Sequence, residues 1–320
     1  MTKFKNYTPQ GVIPATLLAF KDDYSIDWAD TRKHLRDVAA VEGLSAITVN
    51  GHASEVHACS FDEQRQLLDA TVEEIGDQLP IINGVYTDSS FEAARIARMA
   101  DQAGASALLV FPPNALAMGG QMRPEMALAH FKAIADATDL PLILFQYPEK
   151  SNVSYPFETI LELADTIPTI RAIKDWCNDP MQHERNIRTL QSLPQPVNVL
   201  STHSSWLMGS LVLGCNGLLS GAGSVIADLQ VALFRAVQAN DLAAAKAVND
   251  RIYPMAHAFY TAPFLDMHNR MKEALVLLGR VKRAVVRPPL MKLSDQEIER
   301  LRTAIRSAGL AEEGALDLVA

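Results

Sequence analysis

The sequence predicts an α/β fold: a closed (β/α)8 TIM barrel with a C-terminal extension of about three helices. Three observations carry that expectation. Short β-rich runs alternate with amphipathic stretches of helical length, the pattern of parallel strands covered by helices. The alternation repeats eight times, and a barrel of eight such units typically takes about 250 residues. No Gly-x-Gly-x-x-Gly follows the first run, which disfavours a dinucleotide-binding sheet.

The expected strands are 12–18, 44–49, 81–86, 105–111, 142–145, 169–174, 197–201 and 217–219. Most are near-continuous apolar runs, as strands covered on both faces are. Between them, 28–41, 62–75, 90–103, 124–137 and 157–163 read as helices. Pro124 followed by Glu125 marks one helix start, because proline at the first position loses no needed hydrogen bond. From about Ala227 only helical patterning remains, and 241–249, 266–278 and 294–308 are the added helices. Ser294 and Glu297 have capping-box spacing. No Pro/Gly/Ser-rich linker intervenes. The barrel (1–226) and the last barrel helix with the tail (227–320) are therefore expected to pack as one unit.

Composition narrows the function classes. A chain of 320 residues with 48% apolar content buries a large core. A net charge of −8 and a pI near 5.5 give no electrostatic case for nucleic acid or an anionic membrane. No apolar signal core follows Met1, and no apolar run is long enough to cross a bilayer. Cys59, Cys177 and Cys215 are odd in number and far apart, as expected of reduced thiols in a cytoplasmic protein.

Barrel enzymes place their chemistry on loops at the carboxyl ends of the strands. Here those ends collect polar and small residues: 50–57 after strand two, 145–150 at strand five, 201–203 at strand seven and 220–224 at strand eight. Strand six, Thr169-Ile170-Arg171-Ala172-Ile173-Lys174-Asp175, delivers one lysine to its exit. A lysine held in a dry pocket loses its proton more readily and can attack a keto group to form a Schiff base. A strand-exit lysine with its tip in water is the plain alternative. Gly and Ser loops also expose backbone N–H groups suited to a carboxylate. His52, Glu55 and His57 have metal-ligand chemistry. No further ligand set stands out, and a Schiff base is itself an electron sink, so no metal or dissociable cofactor is expected.

The chain resembles the dihydrodipicolinate synthase / N-acetylneuraminate lyase superfamily over nearly its whole length. The matching pieces are Gly11-Val12-Ile13-Pro14-Ala15-Thr16, Gly51-His52-Ala53-Ser54-Glu55, Ala172-Ile173-Lys174-Asp175 and Gly214-Cys215-Asn216-Gly217-Leu218-Leu219-Ser220. In the tail they are Lys272-Glu273-Ala274-Leu275 and Val286-Arg287-Pro288-Pro289-Leu290. The resemblance implies that Lys174 forms the Schiff base and that Glu55 is a structural anchor. It also implies a homotetramer.

Departures from the family pattern are informative. Where the family has Tyr-Asn-x-Pro with a proton-relaying tyrosine, this chain has Phe145-Gln146-Tyr147-Pro148. Phenylalanine carries no exchangeable proton. Tyr147 lies two positions on, on the same face of an extended strand, and either supplies the hydroxyl or packs under a loop. His52 replaces the motif's first threonine and either takes over part of the relay or binds a polar substrate tail. Ala53 and Ser54 are expected to meet the keto-acid carboxylate, although Ser54 as a turn former is an equal reading. Lys150 replaces an arginine that grips the aldehyde's carboxylate in the synthases, keeping the charge and losing the fork. His203 replaces part of an acidic pair and either touches a polyol tail or caps a helix. Phe145, Leu219 and Ser220 complete the expected substrate-lining set.

The sequence-based reading is a class I lyase of an α-keto acid. It is a dehydratase of a 2-keto-3-deoxy sugar acid, because the loop 52–55 is similar to that branch's motif, or a pyruvate-dependent aldolase. The alternatives are dihydrodipicolinate synthase activity and a keto-acid-binding pseudoenzyme.

Overall fold

The strands form because β-branched and large apolar residues, buried on both faces, gain more from the sheet than from a helix. The computed structural model describes Phe4 and residues 7–311; the ends of the expected 1–226 and 227–320 units lie outside them. The strands are β1 (Gly11–Pro14), β2 (Ile47–Val49), β3 (Ile81–Val85), β4 (Ala107–Val110), β5 (Leu142–Gln146), β6 (Ile170–Asp175), β7 (Asn198–Ser201) and β8 (Gly217–Ser220). All ladders are parallel, and β1 pairs with β8. Between β1 and β2, bridges Val12–Leu44 and Ala15–Thr48 and the bond from Thr16 N–H to Thr48 O (2.9 Å) close the cylinder. This is the expected (β/α)8 barrel.

Its outer helices are α1 (Trp28–Ala39), α2 (Phe61–Ile75), α3 (Ser90–Ala103), α4 (Pro124–Ala135), α5 (Phe157–Thr166), α6 (Pro180–Leu190), α7 (Leu207–Val212) and α8 (Gly223–Gln238). Three more follow as the tail: α9 (Leu242–Phe259), α10 (Met267–Leu277) and α11 (Asp295–Ser307). The capping box at Ser294 and Glu297 is present. Two boundaries differ from expectation. The first strand stops at Pro14, opposite the last residue of β8, so the chain beyond has no ladder to join on that side. Helix α9 runs well past residue 249, with Pro254 inside it. No helix among the described residues is long and apolar enough to cross a membrane.

The tail fixes the loop after β2. Glu55 adopts a left-handed conformation (φ 52°) and is 1% exposed. Lys272 on α10 forms a buried ion pair with it and donates to Val285 O at 2.8 Å. The Arg287 backbone N–H donates to the second Glu55 oxygen at 2.9 Å. The Arg287 guanidinium reaches Ala58 O at 2.7 Å and pairs with Glu63. The two tail segments that carried the resemblance thus hold the loop that carries His52.

Candidate active site

Strand residues alternate between faces. On β6 this sends Asp175 toward α6, where it meets His183 and Asn186, and Lys174 toward the barrel interior. In the ladder Lys174 lies opposite Phe145 of β5 and Leu200 of β7. The lysine is 7% exposed, and its Nζ sits 4.2 Å from the centre of the Phe145 ring. Burial lowers its pKa from the ordinary value to about 7. A large fraction of the amine is therefore uncharged at neutral pH, against roughly one in several thousand for a solvated lysine. A surface cavity of about 660 Å³ lies elsewhere, lined by Tyr253, His257 and Arg300.

His52 begins the short 3-10 turn His52–Ser54 after β2. The turn lies directly against β3, and Gly84 makes that possible: a Cβ there would come within 1.9 Å of Asn50 O. His52 Nε2 hydrogen-bonds the Tyr147 hydroxyl. Its ring meets Phe111 edge-on with centroids 4.7 Å apart. Burial, reinforced by Lys174 and His57, lowers the His52 pKa to about 3, so the imidazole is neutral. Burial raises the Tyr147 pKa, so the phenol keeps its proton. A neutral imidazole and a neutral phenol in hydrogen-bond contact can accept a proton and hand it on, the pair carrying the charge in between.

The other residues named from the sequence fall at varied places. Ala53 is buried in the same turn. Ser54 is buried too, with its N–H donating to Gly51 O (3.1 Å) and its hydroxyl to Thr16 O (2.8 Å), so both its donors hold the loop. Leu219 and Ser220 are buried at the end of β8, where the Ser220 hydroxyl accepts from Gln230 Nε2 at 3.1 Å. Lys150 is exposed in the turn Glu149–Ser151. His203 stacks on Trp206 (centroids 4.2 Å), and its Nε2 accepts from Asn178 N–H at 3.1 Å.

Two tail residues join the barrel's upper end without having been singled out from the sequence. Burial raises the Tyr260 pKa, and the nearby Ser204 and Ser220 hydroxyls oppose the rise. His268, in the first turn of α10, covers Gly221, where an added Cβ would lie 3.0 Å from its Nε2. Burial, the largest cause, holds its pKa well below the usual value. Lone polar residues on a helix carry no local signal of where the helix docks.

Asp175, Cys177, His183 and His203 bring four ligand-type atoms within 4.8 Å of one another. Hydrogen bonds already engage them. Asp175 accepts from His183 Nδ1 (2.9 Å), Asn186 Nδ2 (2.8 Å) and Cys177 N–H (2.9 Å), and His183 Nε2 bonds the Ser210 hydroxyl (2.6 Å). The network ties the end of β6 to α6 and β7. Of the trio His52, Glu55 and His57, Glu55 is committed to Lys272.

Comparison with known proteins agrees with this architecture. The model of the dihydrodipicolinate synthetase family matches residues 8–308. The 4-hydroxy-tetrahydrodipicolinate synthase of Gluconacetobacter diazotrophicus is 30% identical over 94% of this chain and 97% of that protein. The synthase of the same name from Neisseria gonorrhoeae is 28% identical over 94% and 99%. The crystal structure of chloride-inhibited dihydrodipicolinate synthase from Acinetobacter baumannii complexed with pyruvate superposes with a TM-score of 0.84. It is 27% identical and covers 94% of this chain and 99% of that one. These names favour the synthase alternative over the dehydratase reading, and the kinship favours an enzyme over a binding-only protein. The chain belongs to the dihydrodipicolinate synthetase family and is a class I lyase of the Schiff-base type.

Proposed function

We propose that the protein is a pyruvate-dependent aldolase in which Lys174 forms the Schiff base. The buried Lys174 amine supports this most directly, lying against Phe145 at the carboxyl end of β6 with its pKa brought to about 7. Nζ attacks C2 of pyruvate, and loss of water leaves an iminium that withdraws electrons from C3. A C3 proton passes to the His52–Tyr147 pair, and the resulting enamine adds to an aldehyde whose oxygen takes up a proton. Water then releases the 4-hydroxy-2-keto acid and restores the amine. Backbone at Ala53 meets the keto-acid carboxylate, and Ser54 holds that turn in shape. Phe145, Leu219 and Ser220 line the pyruvate end, Lys150 stands at the rim, and His203 braces the end of β7.

Full-length relatives named as synthases support condensation over dehydration. They also favour a second reading, in which the aldehyde is the carboxylate-bearing one that yields 4-hydroxy-tetrahydrodipicolinate. We further propose a cytoplasmic homotetramer, with the barrel 1–226 and the remainder 227–320 acting as one unit. Three free thiols and the family resemblance support the location and assembly. Mixing the purified protein with pyruvate and a panel of aldehydes, beside a panel of 2-keto-3-deoxy acids, tests the function. Aldol products expected with pyruvate bear it out, and turnover confined to the deoxy acids would return the dehydratase reading.

A further inference from the structure

We infer that the aldehyde partner carries an aromatic ring, an inference resting on the aldolase reading above. The wall leading away from Lys174 is built of rings in unbroken contact. Phe145 meets Phe111 (centroids 5.3 Å) and Tyr147 (4.5 Å), and Tyr86 meets Phe111 (5.4 Å). Tyr147 continues to Trp176 (5.5 Å), and Trp176 to Phe264 of the tail (6.2 Å).

Exposure rises along this path, from the amine outward to the surface. Phe111 and Phe145 are buried at 1% and 3%, Tyr147 and Trp176 are half-buried, and Phe264 is 47% exposed. Most of these contacts are edge-to-face, the geometry in which one ring readily replaces another. The polar atoms along the wall are few, chiefly the Tyr147 hydroxyl on His52 and the Tyr86 hydroxyl, which accepts from Asn114 Nδ2 at 3.3 Å.

A carboxylate on the tail would be stripped of water here, and the strand-five loop offers it the exposed Lys150, a point charge without a guanidinium fork. A polyol would face rings rather than hydrogen-bonding partners. An aryl group exchanges ring for ring and leaves only its aldehyde oxygen to be served, which the Tyr147 hydroxyl can do. The reaction balances without a co-reactant: the pyruvate C3–H bond breaks, C3 bonds to the aldehyde carbon, and the proton ends on the new hydroxyl. The product is a 4-aryl-4-hydroxy-2-oxobutanoate.

The test measures kcat/KM for benzaldehyde, glyceraldehyde and aspartate semialdehyde, each with saturating pyruvate, and identifies products by mass. Benzaldehyde is expected to lead both others by about tenfold or more. Trp176→Ala is expected to cut the benzaldehyde-to-glyceraldehyde ratio about tenfold, a ratio that general damage to the fold leaves unchanged. An equal or better rate with either non-aromatic aldehyde overturns the inference, as does an unaltered ratio in the variant. Borohydride trapping of pyruvate on the wild-type protein separates the two levels. A trapped adduct without aryl turnover refutes the aromatic partner alone, whereas no adduct refutes the Schiff-base reading beneath it.

Discussion

Lys272 of the tail and Glu55 of the loop after β2 form an ion pair in which both side chains are almost wholly excluded from water. They are 217 residues apart in the chain, so the pair welds the C-terminal helices to the turn that carries His52 and Ala53. The left-handed backbone at Glu55 is held from two sides, by Lys272 and by the backbone of Arg287.

Removing one partner leaves a buried charge without compensation, which typically costs about 3–5 kcal/mol. Lys272→Ala is therefore expected to lower the thermal midpoint by several degrees and to reduce catalysis through disorder of the 52–58 loop. Circular dichroism melts would check this. A midpoint indistinguishable from the parent protein would mean that the pair contributes nothing to holding the tail.

The pH dependence of Schiff-base formation follows from Lys174. Only the free amine attacks a ketone, and burial places its pKa at about 7. The rate of pyruvate adduct formation should rise about tenfold per pH unit below that value and level off above it. A rate that continues to climb toward pH 10 would show an ordinary, solvated lysine.

His52 and Tyr147 act as one unit on the proposed path, so their losses should not add. Tyr147→Phe and His52→Ala are each expected to lower kcat about 10²- to 10³-fold, in the range of general acid–base catalysis. Adduct formation at Lys174 should survive in both, and the double variant should be little worse than either single one. Multiplicative losses would assign the two residues to separate steps.

Behind the lysine, Asp175 and His183 lend the fold a pH-dependent contribution. Burial opposes the charged imidazole of His183, but the hydrogen bond and charge of Asp175, together with Cys215, outweigh this and raise the pKa to about 9. A histidine raised on folding stabilises fully below its unfolded value near 6.5 and loses that contribution as pH rises through about 9. The stability of the parent protein should therefore fall between pH 6.5 and 9 more than that of His183→Gln. Parallel pH profiles in urea unfolding would refute the assignment.

Much of the fold is legible in the sequence because period and composition report local structure. All eight strands lie within or beside their expected runs, since parallel strands buried on both faces read as continuous apolar segments. Lys174 stands out as a basic residue closing such a segment. Helix α6 is not among the expected helices although Asp179 and Pro180 mark its start. Half of its inward face is polar, with His183 and Asn186 buried beside Ile187 and Leu190, so the apolar stripe is too thin to read. Helix α9 extends through Pro254, where tertiary packing against α8 and α11 overrides the local breaker. The contact between His52 and Tyr147 joins residues 95 positions apart, and His268 arrives from a tail helix. Such meetings depend on the closed barrel and not on any local pattern.

The most direct test is borohydride reduction in the presence of pyruvate, followed by peptide mass mapping of the intact protein and of Lys174→Ala. The account predicts one reduced pyruvate adduct per chain, located on Lys174 and absent from the variant. An adduct on another lysine, or none at any pH between 6 and 9, would contradict it.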